Sequence, residues 1–378
     1  MQGRLLTLSA IIGCVAVFGA TLGLTLPLLS VLLERQGVSP TLIGLNAATP
    51  AVAIFLGSFF IPALARRFGA RRYVLICIAL NVVSLFLLPL FPNVWAWFPI
   101  RFLMGVAISG LFVVSESWIN QVVDDSSRGR IIGVYTTAVA LGFLCGPAIL
   151  RITGIDPLWP FLLAACVNLL AAIPLLLRGL VLPPEDTGHT HRPVSRFIML
   201  APLLMAATIL SSLTDGAAMA LLPLFALANG LSEMDATTLI AAVIAGGLCL
   251  QLPLGWLSDK VNRRALLIAC GIVGTAGAAL MPLAVGSWLL WPLLFWWGGA
   301  LIGLYTLALT MLGQLFTGQD LVAGNAAFGV MWGIGSLAGP AVGGAAIDLL
   351  GANGLPWTLA AAAGLFTLFG ILRPAGKA

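Results

Sequence analysis

Charged side chains are scarce in this chain of 378 residues: only 8% are Asp, Glu, Lys or Arg, whereas 60% are hydrophobic. A soluble domain has about 25% charged residues, so this chain has too few to cover a surface that faces water. Its mean hydropathy of +1.09 indicates a folded surface that faces lipid. The net charge of +5 comes from short basic clusters between apolar runs, which indicates membrane topology rather than a nucleic-acid partner.

Residues that form disulfides, bind metals or hold nucleotides are also rare. The six Cys lie within apolar runs and none belongs to a CxxC pair, so we expect small buried thiols rather than a disulfide framework or a zinc site. The only two His, His189 and His191, have no other clustered ligand, and we expect no metal site. The sequence has no GxxxxGK[ST] loop, which argues against ATP-driven transport by this chain alone.

Long apolar runs make up most of the sequence. A helix needs about 20 apolar residues to cross the bilayer core, and the chain has twelve runs of this kind. The N-terminal run is too long for a signal peptide, so it is predicted to be a retained first span. The longest polar interruption, residues 183–196, predicts a cytoplasmic linker between an N-terminal bundle (1–182) and a C-terminal bundle (197–378) of six helices each. The predicted spans are 5–33, 41–65, 73–91, 94–122, 130–152, 157–180, 197–228, 236–258, 265–286, 288–316, 321–349 and 354–372.

The distribution of bases predicts the orientation of the chain. With a cytoplasmic N-terminus, fifteen of the 18 Lys and Arg fall on the cytoplasmic side. Only Arg35 and Arg151 lie in outside loops, and Arg101 lies within a span. The positive-inside rule therefore places both termini in the cytoplasm.

The two halves of the sequence repeat at an offset of 193 residues. A constant shift of about half the chain predicts two parallel repeats related by an axis along the membrane normal. The shift aligns Arg66 with Asp259, Gly105 with Gly298, Gly110 with Gly303, and the segment 142–147 (GFLCGP) with 335–340 (GSLAGP).

Several of these segments resemble motifs of the major facilitator superfamily. GWLSDKVNRR, residues 255–264, is similar to the family's loop motif G-x-x-x-D-[RK]-x-G-[RK]-[RK], with Asn262 in place of the second glycine. The first-half copy departs further, with Pro62 at the glycine position and Arg66 at the acid position. Arg101-x-x-x-Gly105 resembles the arginine motif of the family's fourth helix, and RFLMGVAISGLFVVSESWIN resembles the YcaD-like subgroup.

A Gly-Pro motif in the eleventh span extends the resemblance. Residues 335–344 match G-x-x-x-G-P-x-x-G-G completely, whereas the fifth-span copy has Leu150 and Arg151 at the last two glycine positions. Glycines four residues apart let helix backbones approach closely, and a proline permits a bend; generic helix packing is the alternative. The residues of the expected helix-bending motif are Gly142, Gly146, Pro147, Gly335, Gly339, Pro340, Gly343 and Gly344.

The resemblance implies an all-α integral membrane protein whose twelve transmembrane helices form two pseudo-symmetric six-helix bundles. It implies a secondary active transporter, not an enzyme, that moves a small organic solute by alternating access. We expect a monomer in the cytoplasmic (inner) membrane of a bacterium, with protons, the lipid bilayer and a small-molecule substrate as partners and no cofactor. Proton-coupled antiport (efflux) is the expected mode; proton symport is the alternative, and a sensor without transport is a third.

In the family the loop motif latches one conformation and opens when the bundles rock. We expect the same of Gly255, Asp259, Lys260, Arg263 and Arg264, with Arg128 and Arg130 at the start of the fifth span as partners for Asp259. Asp259 is also placed to accept hydrogen bonds from the backbone N–H groups of a helix N-terminus, where the helix dipole favours negative charge. A topology signal alone is the other interpretation.

Charges within spans are costly in lipid and usually face a partner or a water-filled cavity. The resemblance places Glu116 and Asp215, in the fourth and seventh spans, on helices that line the central cavity, so both are candidates for carrying the coupling proton. Arg101 is a candidate charge partner or anion site, although about 22 Å of helix rise separates it from Glu116. A structural hydrogen bond is the alternative for each, and Asp348 is expected at the outer interface.

Polar and aromatic side chains within spans are candidate substrate contacts. Such a set suits an amphipathic or weakly charged organic molecule, and helix packing is the alternative for each member. The candidates are Asn46, Trp118, Asn120, Gln121, Ser211, Gln251, Tyr305, Thr306, Gln314 and Trp332.

Overall fold

Long helices joined by short turns make up the computed structural model, which describes residues 2–122, 125–176, 199–316 and 318–373. These residues contain twelve α-helices and no strand, and each helix includes a segment that is long and apolar enough to cross a membrane. The helices are α1 (Gln2–Arg35), α2 (Pro40–Phe68), α3 (Ala70–Leu90), α4 (Val94–Val122), α5 (Asp125–Thr153), α6 (Trp159–Leu176), α7 (Pro202–Ala228), α8 (Glu233–Ser258), α9 (Arg263–Ala284), α10 (Leu290–Leu315), α11 (Gly318–Leu350) and α12 (Gly354–Leu372).

The twelve predicted spans and the all-α class are therefore confirmed. A helix satisfies its backbone hydrogen bonds within itself, which is the condition that hydrocarbon imposes on a spanning segment. The turns after α1 and α7 contain Gly37 and Gly230, whose φ angles of 70° and 84° lie in the left-handed region that favours glycine. The whole of the predicted linker 183–196 lies outside the described residues, and no structure is assigned to it.

The chain separates into two compact units. Unit 1 comprises residues 1–32 and 49–188, and unit 2 comprises residues 33–48 and 189–378. Helices α1 and α2 therefore run through both units, because their connected ends, residues 33–48, pack with the second. These residues are called the hairpin segment below.

Glycines bring α1 and α5 into close contact within unit 1. A Cβ atom at Gly142 would overlap the carbonyl oxygen of Ala16 and would lie 3.1 Å from the backbone nitrogen of Ala20. A Cβ at Gly146 would likewise overlap the backbone of Gly23. Only glycine permits this backbone approach, so the motif glycines of α5 fix its packing against α1.

The same contacts recur inside unit 2 at the predicted offset. A Cβ at Gly335, in α11, would lie 2.5 Å from the carbonyl oxygen of Ile209 and 2.9 Å from the backbone nitrogen of Leu213, both in α7. Gly335, Ile209 and Leu213 are each 193 positions after Gly142, Ala16 and Ala20. The two halves thus repeat in their helix contacts as well as in their residue types.

A buried polar network ties α1, α3 and α6 together in unit 1. Asn81 donates through Nδ2 to Oδ1 of Asn168 at 3.0 Å. Asn168 in turn donates to the Thr21 hydroxyl at 2.8 Å and to the carbonyl of Ala164 at 2.7 Å. All three network side chains are almost fully buried, so the amides hold the helices together where lipid or core offers no other partner.

Candidate transport site

Asp215 is placed in the middle of α7, thirteen residues from either end of that helix. Its side chain is partly exposed, and it forms no hydrogen bond or ion pair with any residue that the structure describes. The other charged residues described in unit 2 lie at or beside helix ends: Glu34, Arg35, Glu233, Asp235, Asp259, Lys260, Arg263, Arg264, Asp320, Asp348 and Arg373. Asp215 is therefore the single charge at mid-helix depth among the described residues of this unit.

Two neighbouring helices define the direction of the Asp215 side chain. Ser211 faces α10, because its hydroxyl donates to the carbonyl of Leu301 at 2.9 Å. Gly216 faces α11, where a Cβ added to it would lie 3.2 Å from Cδ of Pro340. Successive residues turn by about 100° around a helix, which places Asp215 between these two directions. Its carboxyl thus points toward the groove between α10 and α11.

An aromatic pair joins α10 and α11 further along the same groove. The rings of Tyr305 in α10 and Trp332 in α11 meet edge to face with centroids 4.9 Å apart, and Phe328 lies 6.0 Å from Tyr305. The contact between Ser211 and Leu301 is the reference point: Tyr305 lies one turn after Leu301 in α10, and Asp215 lies one turn after Ser211 in α7. Because successive helices alternate in direction, α7 and α10 are antiparallel, and these two steps lead away from each other. The acid and the aromatic pair are therefore separated by roughly 12 Å along the groove.

The remaining candidate contacts do not form one cluster in the described parts of the chain. Thr306 donates to the carbonyl of Ile302 within its own helix at 3.2 Å, so its hydroxyl is engaged locally. Gln251 is partly exposed and Gln314 is exposed, whereas Asn46, in the hairpin segment, is fully buried. In unit 1, Arg101 is 3% exposed and Trp118 is fully buried. The side chains of Glu116, Asn120 and Gln121 lie outside the described residues.

The loop motif between α8 and α9 is held by contacts within the motif. Asp259 follows the last residue of α8 and forms an ion pair with Arg263 at 2.9 Å. Arg263 also donates through Nε to the Ser258 carbonyl at 3.0 Å, and the ammonium of Lys260 lies 3.6 Å from the centre of the Trp256 ring. The predicted partners of Asp259, Arg128 and Arg130, have side chains outside the described residues.

Asn262 explains the departure from the family's motif. Its side chain caps α9 by accepting from the backbone nitrogen of Ala265 at 3.1 Å. Asn262, rather than Asp259, thus caps this helix N-terminus. The equivalent first-half residue, Gly69, precedes α3 with φ 76° and no side-chain cap. The two copies begin their helices by different means: a left-handed glycine in one and an asparagine cap in the other.

Arg264 connects the start of α9 with the end of α12. Its guanidinium donates to the Gly370 carbonyl at 2.9 Å and also to the carbonyl of Arg373. These oxygens belong to the last turn of α12, where no intrahelical donor is left. A positive charge at a helix C-terminus also interacts favourably with the helix dipole. Arg264 therefore acts as a C-terminal cap for α12.

Sequence reasoning missed a second set of contacts, between the hairpin segment and the rest of unit 2. Arg35 makes a two-pronged ion pair with Glu233 at the start of α8, with Nε 2.6 Å from Oε1. Asp348, near the end of α11, accepts from the backbone nitrogen of Thr41 at 2.9 Å and from its hydroxyl. The first turn of α2 has no acidic residue of its own. This was the one local indication that an acid from another part of the chain accepts hydrogen bonds at the start of α2.

Backbone packing accompanies these polar contacts. A Cβ at Gly44, in α2, would overlap the carbonyl of Pro340, and one at Gly344 would overlap the carbonyl of Pro40. The hairpin segment thus lies directly on the Gly-Pro motif of α11. Gly343 is also close-packed, since a Cβ there would lie 2.8 Å from a methyl carbon of Leu221.

No group of three or more His, Cys, Asp or Glu side chains that could hold a metal ion is found in the described parts of the chain. All six cysteines are free thiols. Cys14, Cys77 and Cys270 are buried, and the other three, Cys145, Cys166 and Cys249, are exposed on helix surfaces.

Comparison with known proteins supports the repeat and the motifs. The model of the Major Facilitator Superfamily matches twice, over residues 11–203 and 204–377. The chain belongs to the Major Facilitator Superfamily. This superfamily member is 26% identical to the MFS-type transporter YfkF of Bacillus subtilis over 87% of the chain and 86% of that protein. It is 24% identical to YcaD of Salmonella heidelberg over 89% and 87%.

Solved structures show that the superfamily fold extends over the whole chain. The nucleoside transporter NupG aligns with a TM-score of 0.78 at 12% identity, covering 100% of both chains. A bacterial homolog of the human lysosomal transporter Spinster aligns with a TM-score of 0.75 at 15% identity, covering 97% of this chain and 95% of that one. Fold and family together make this superfamily member a multi-pass membrane transporter, for which a small-molecule substrate and a lipid bilayer are implied.

Proposed function

We propose that this transporter is a proton-coupled antiporter that exports a small organic solute, with both termini in the cytoplasm. The observation that carries the proposal is Asp215: a partly exposed acid at mid-helix depth, without a hydrogen bond or ion pair among the described residues. A charged group in that position is costly unless it has a functional role. A carboxyl group can be neutral or charged, so its protonation state changes the cost of exposing it to lipid or to a closed cavity.

Asp215 supports coupling because the described residues of unit 2 offer its carboxyl no permanent counter-charge. α10 and α12 have no charged residue within their bounds, and the charges of α8, α9 and α11 lie at their ends. The carboxyl can therefore be neutralised either by a proton or by the solute. Alternating access requires that each ligand binds one conformation better than the other, and a site that exchanges proton for solute meets that requirement.

Two sets of contacts at opposite ends of unit 2 supply the conformational restraints of this proposal. One is the loop motif, which carries the bases of the cytoplasmic side. The other is the hairpin segment, which is fastened to α8 by Arg35 and to α11 through Thr41. Release of the hairpin contacts would open the transporter at the face opposite the cytoplasm.

Proton flux in proteoliposomes tests the role of Asp215. A solute is first found by a thermal-shift screen of metabolites and drugs, because a bound ligand stabilises the purified protein. We expect Asp215→Asn to lower solute-driven proton flux at least tenfold, since the amide cannot exchange a proton. Asp235→Asn is the matched control, because among the described residues Asp235 bonds with Ser232 alone, at the start of α8. Undiminished proton flux in both Asp215→Asn and Glu116→Gln would reject proton carriage by either acid.

A further inference from the structure

We propose that the groove between α10 and α11, in front of α7, binds a monovalent organic cation with an aromatic or apolar body. Asp215 holds the positively charged end, and the Tyr305–Trp332 pair holds the ring or chain at the other end. This substrate class rests on the proposed transport function and adds the charge and the length of the solute to it.

The sign of the charge follows from the elements packed around α7. Among the helices that contact α7, α10 and α12 carry no charge within their bounds, and α8 carries only Glu233 and Asp235, both in its first turn. α11 has only Asp320 and Asp348, each within three residues of an end. A solute group beside Asp215 therefore meets one carboxylate and no base from the described helices of unit 2. An anionic group would be repelled there, and a neutral group would leave the carboxylate without a counter-charge.

The length of the solute follows from the distance between the Asp215 carboxyl and the Tyr305–Trp332 pair. Tyr305 and Trp332 are both partly exposed, and aromatic side chains supply apolar surface against which a ring or alkyl chain can pack. The carboxyl of Asp215 lies about 12 Å away along the groove. A metal ion or ammonium could contact only one end, whereas an extended molecule of that length contacts both.

Charge balance gives the stoichiometry. When Asp215 is the exchanging group, arrival of one monovalent cation releases one proton, and the carboxyl region stays neutral in both loaded states. Exchange of one cation for one proton moves no net charge across the membrane. The transport of such a solute is therefore driven by the pH gradient and is independent of the membrane potential.

Binding of three phenylbutyl compounds to the purified full-length protein tests the site. They are 4-phenylbutyltrimethylammonium, neutral 4-phenylbutanol and anionic 4-phenylbutanoate, and calorimetry gives their affinities. We expect the ammonium compound to bind at least tenfold more tightly than the other two, and Asp215→Asn to remove that preference while leaving the alcohol unchanged. In weakly buffered solution, ammonium binding releases up to one proton per protein, and this proton must come from the protein because the quaternary group has none.

Variants of the aromatic end complete the test. Trp332→Ala is expected to weaken all three compounds by a similar factor, because it removes ring contact and no charge. Trp357→Ala is the control, since that Trp is 52% exposed on α12. Equal or tighter binding of the carboxylate or alcohol, a charge preference that survives in Asp215→Asn, or no saturable ammonium binding at millimolar concentration would each overturn the proposed site.

Failure of this inference and failure of the proposed function give different results. If another solute drives proton flux that depends on Asp215 while the ammonium preference is absent, the substrate class is wrong and the antiport stands. If the ammonium compound binds through Asp215 but neither crosses proteoliposome membranes nor drives proton flux, the binding site stands and the transport proposal is wrong.

Discussion

Reversing the charge of Glu233 is expected to loosen the hairpin segment from α8. Arg35 reaches this carboxylate with two donors, one of them Nε at 2.6 Å from Oε1. The two side chains are 43% and 34% exposed, so solvent screens much of their attraction. The contact from Asp348 to Thr41 is of another kind, since it satisfies a backbone donor in the first turn of α2.

The magnitudes are modest but sufficient to shift a balanced equilibrium. An exposed ion pair contributes about 0.2–1 kcal/mol, and Glu233→Arg adds a repulsion of similar size, for a total of about 1 kcal/mol. Truncation of a helix-capping side chain to Ala costs about 0.5–2 kcal/mol, which is the range for Asp348→Ala. Since about 1.4 kcal/mol corresponds to tenfold, Glu233→Arg should raise the population with a released hairpin roughly fivefold, and Asp348→Ala roughly two- to thirtyfold.

Cysteine labelling measures that population. Ala48 is 2% exposed and follows Gly44 by one turn, on the α2 face that packs against α11. In a background without the six native cysteines, the labelling rate of Ala48→Cys by a membrane-impermeant maleimide reports release of the hairpin. We expect Glu233→Arg to raise this rate roughly fivefold and Asp348→Ala to raise it roughly two- to thirtyfold.

A charge swap separates a specific ion pair from a general loss of stability. Arg35→Glu combined with Glu233→Arg restores the pair in reverse, so the labelling rate should return close to that of the parent. Asp235→Asn, two residues from Glu233 but bonded to Ser232, should leave the rate unchanged. Unchanged rates in the two single variants, or a swap whose effects simply add, would refute the assignment of these contacts as a conformational restraint.

Four further substitutions, one of them a control, test the packing. Gly339→Ala should strongly destabilise the purified protein or prevent its accumulation, because the new Cβ overlaps the backbone of α7, whereas Gly333→Ala, with no atom within 4 Å, should raise the melting temperature slightly through helix propensity. Arg264→Ala should lower stability by about 1–3 kcal/mol, since it leaves carbonyls at the end of α12 without a donor; thermal melting in detergent checks this. Asn168→Leu should cost a similar amount in unit 1, and an unchanged melting temperature would contradict the role of the buried amide network.

The positions of the helices were predictable because hydrocarbon demands long apolar runs, but their ends were not. Apolar counting ends the first span at residue 33, whereas α1 continues through Arg35. It starts the eighth span at residue 236, whereas α8 begins at Glu233 under a Ser232 cap. Polar residues at the membrane surface can remain helical, since water and caps satisfy the terminal backbone groups. The pattern of hydrophobic residues therefore indicates which part of the chain lies in the hydrocarbon, and the helix extends beyond that part.

The acid at the candidate site could be found from sequence, but its surroundings could not. A charge inside an apolar run is conspicuous wherever it falls, and Asp215 is such a charge. The pairing of Asp348 with Thr41 joins residues 307 positions apart, and no local pattern encodes that pairing. For the same reason the contact of Tyr305 with Trp332 could be known only after α10 and α11 had been placed.

The incomplete Gly-Pro motif of α5 has a local structural cause. In α11, Gly344 must lack a side chain because the backbone of Pro40 occupies that space. The position 193 residues earlier is Arg151, whose side chain is exposed at the end of α5. In contrast, Gly142 and Gly146 are retained because they lie against the backbone of α1. Gly142, Gly146 and Gly344 are therefore kept where a neighbouring backbone requires a glycine, and the loss of the final motif glycine from α5 reflects the packing at that helix end.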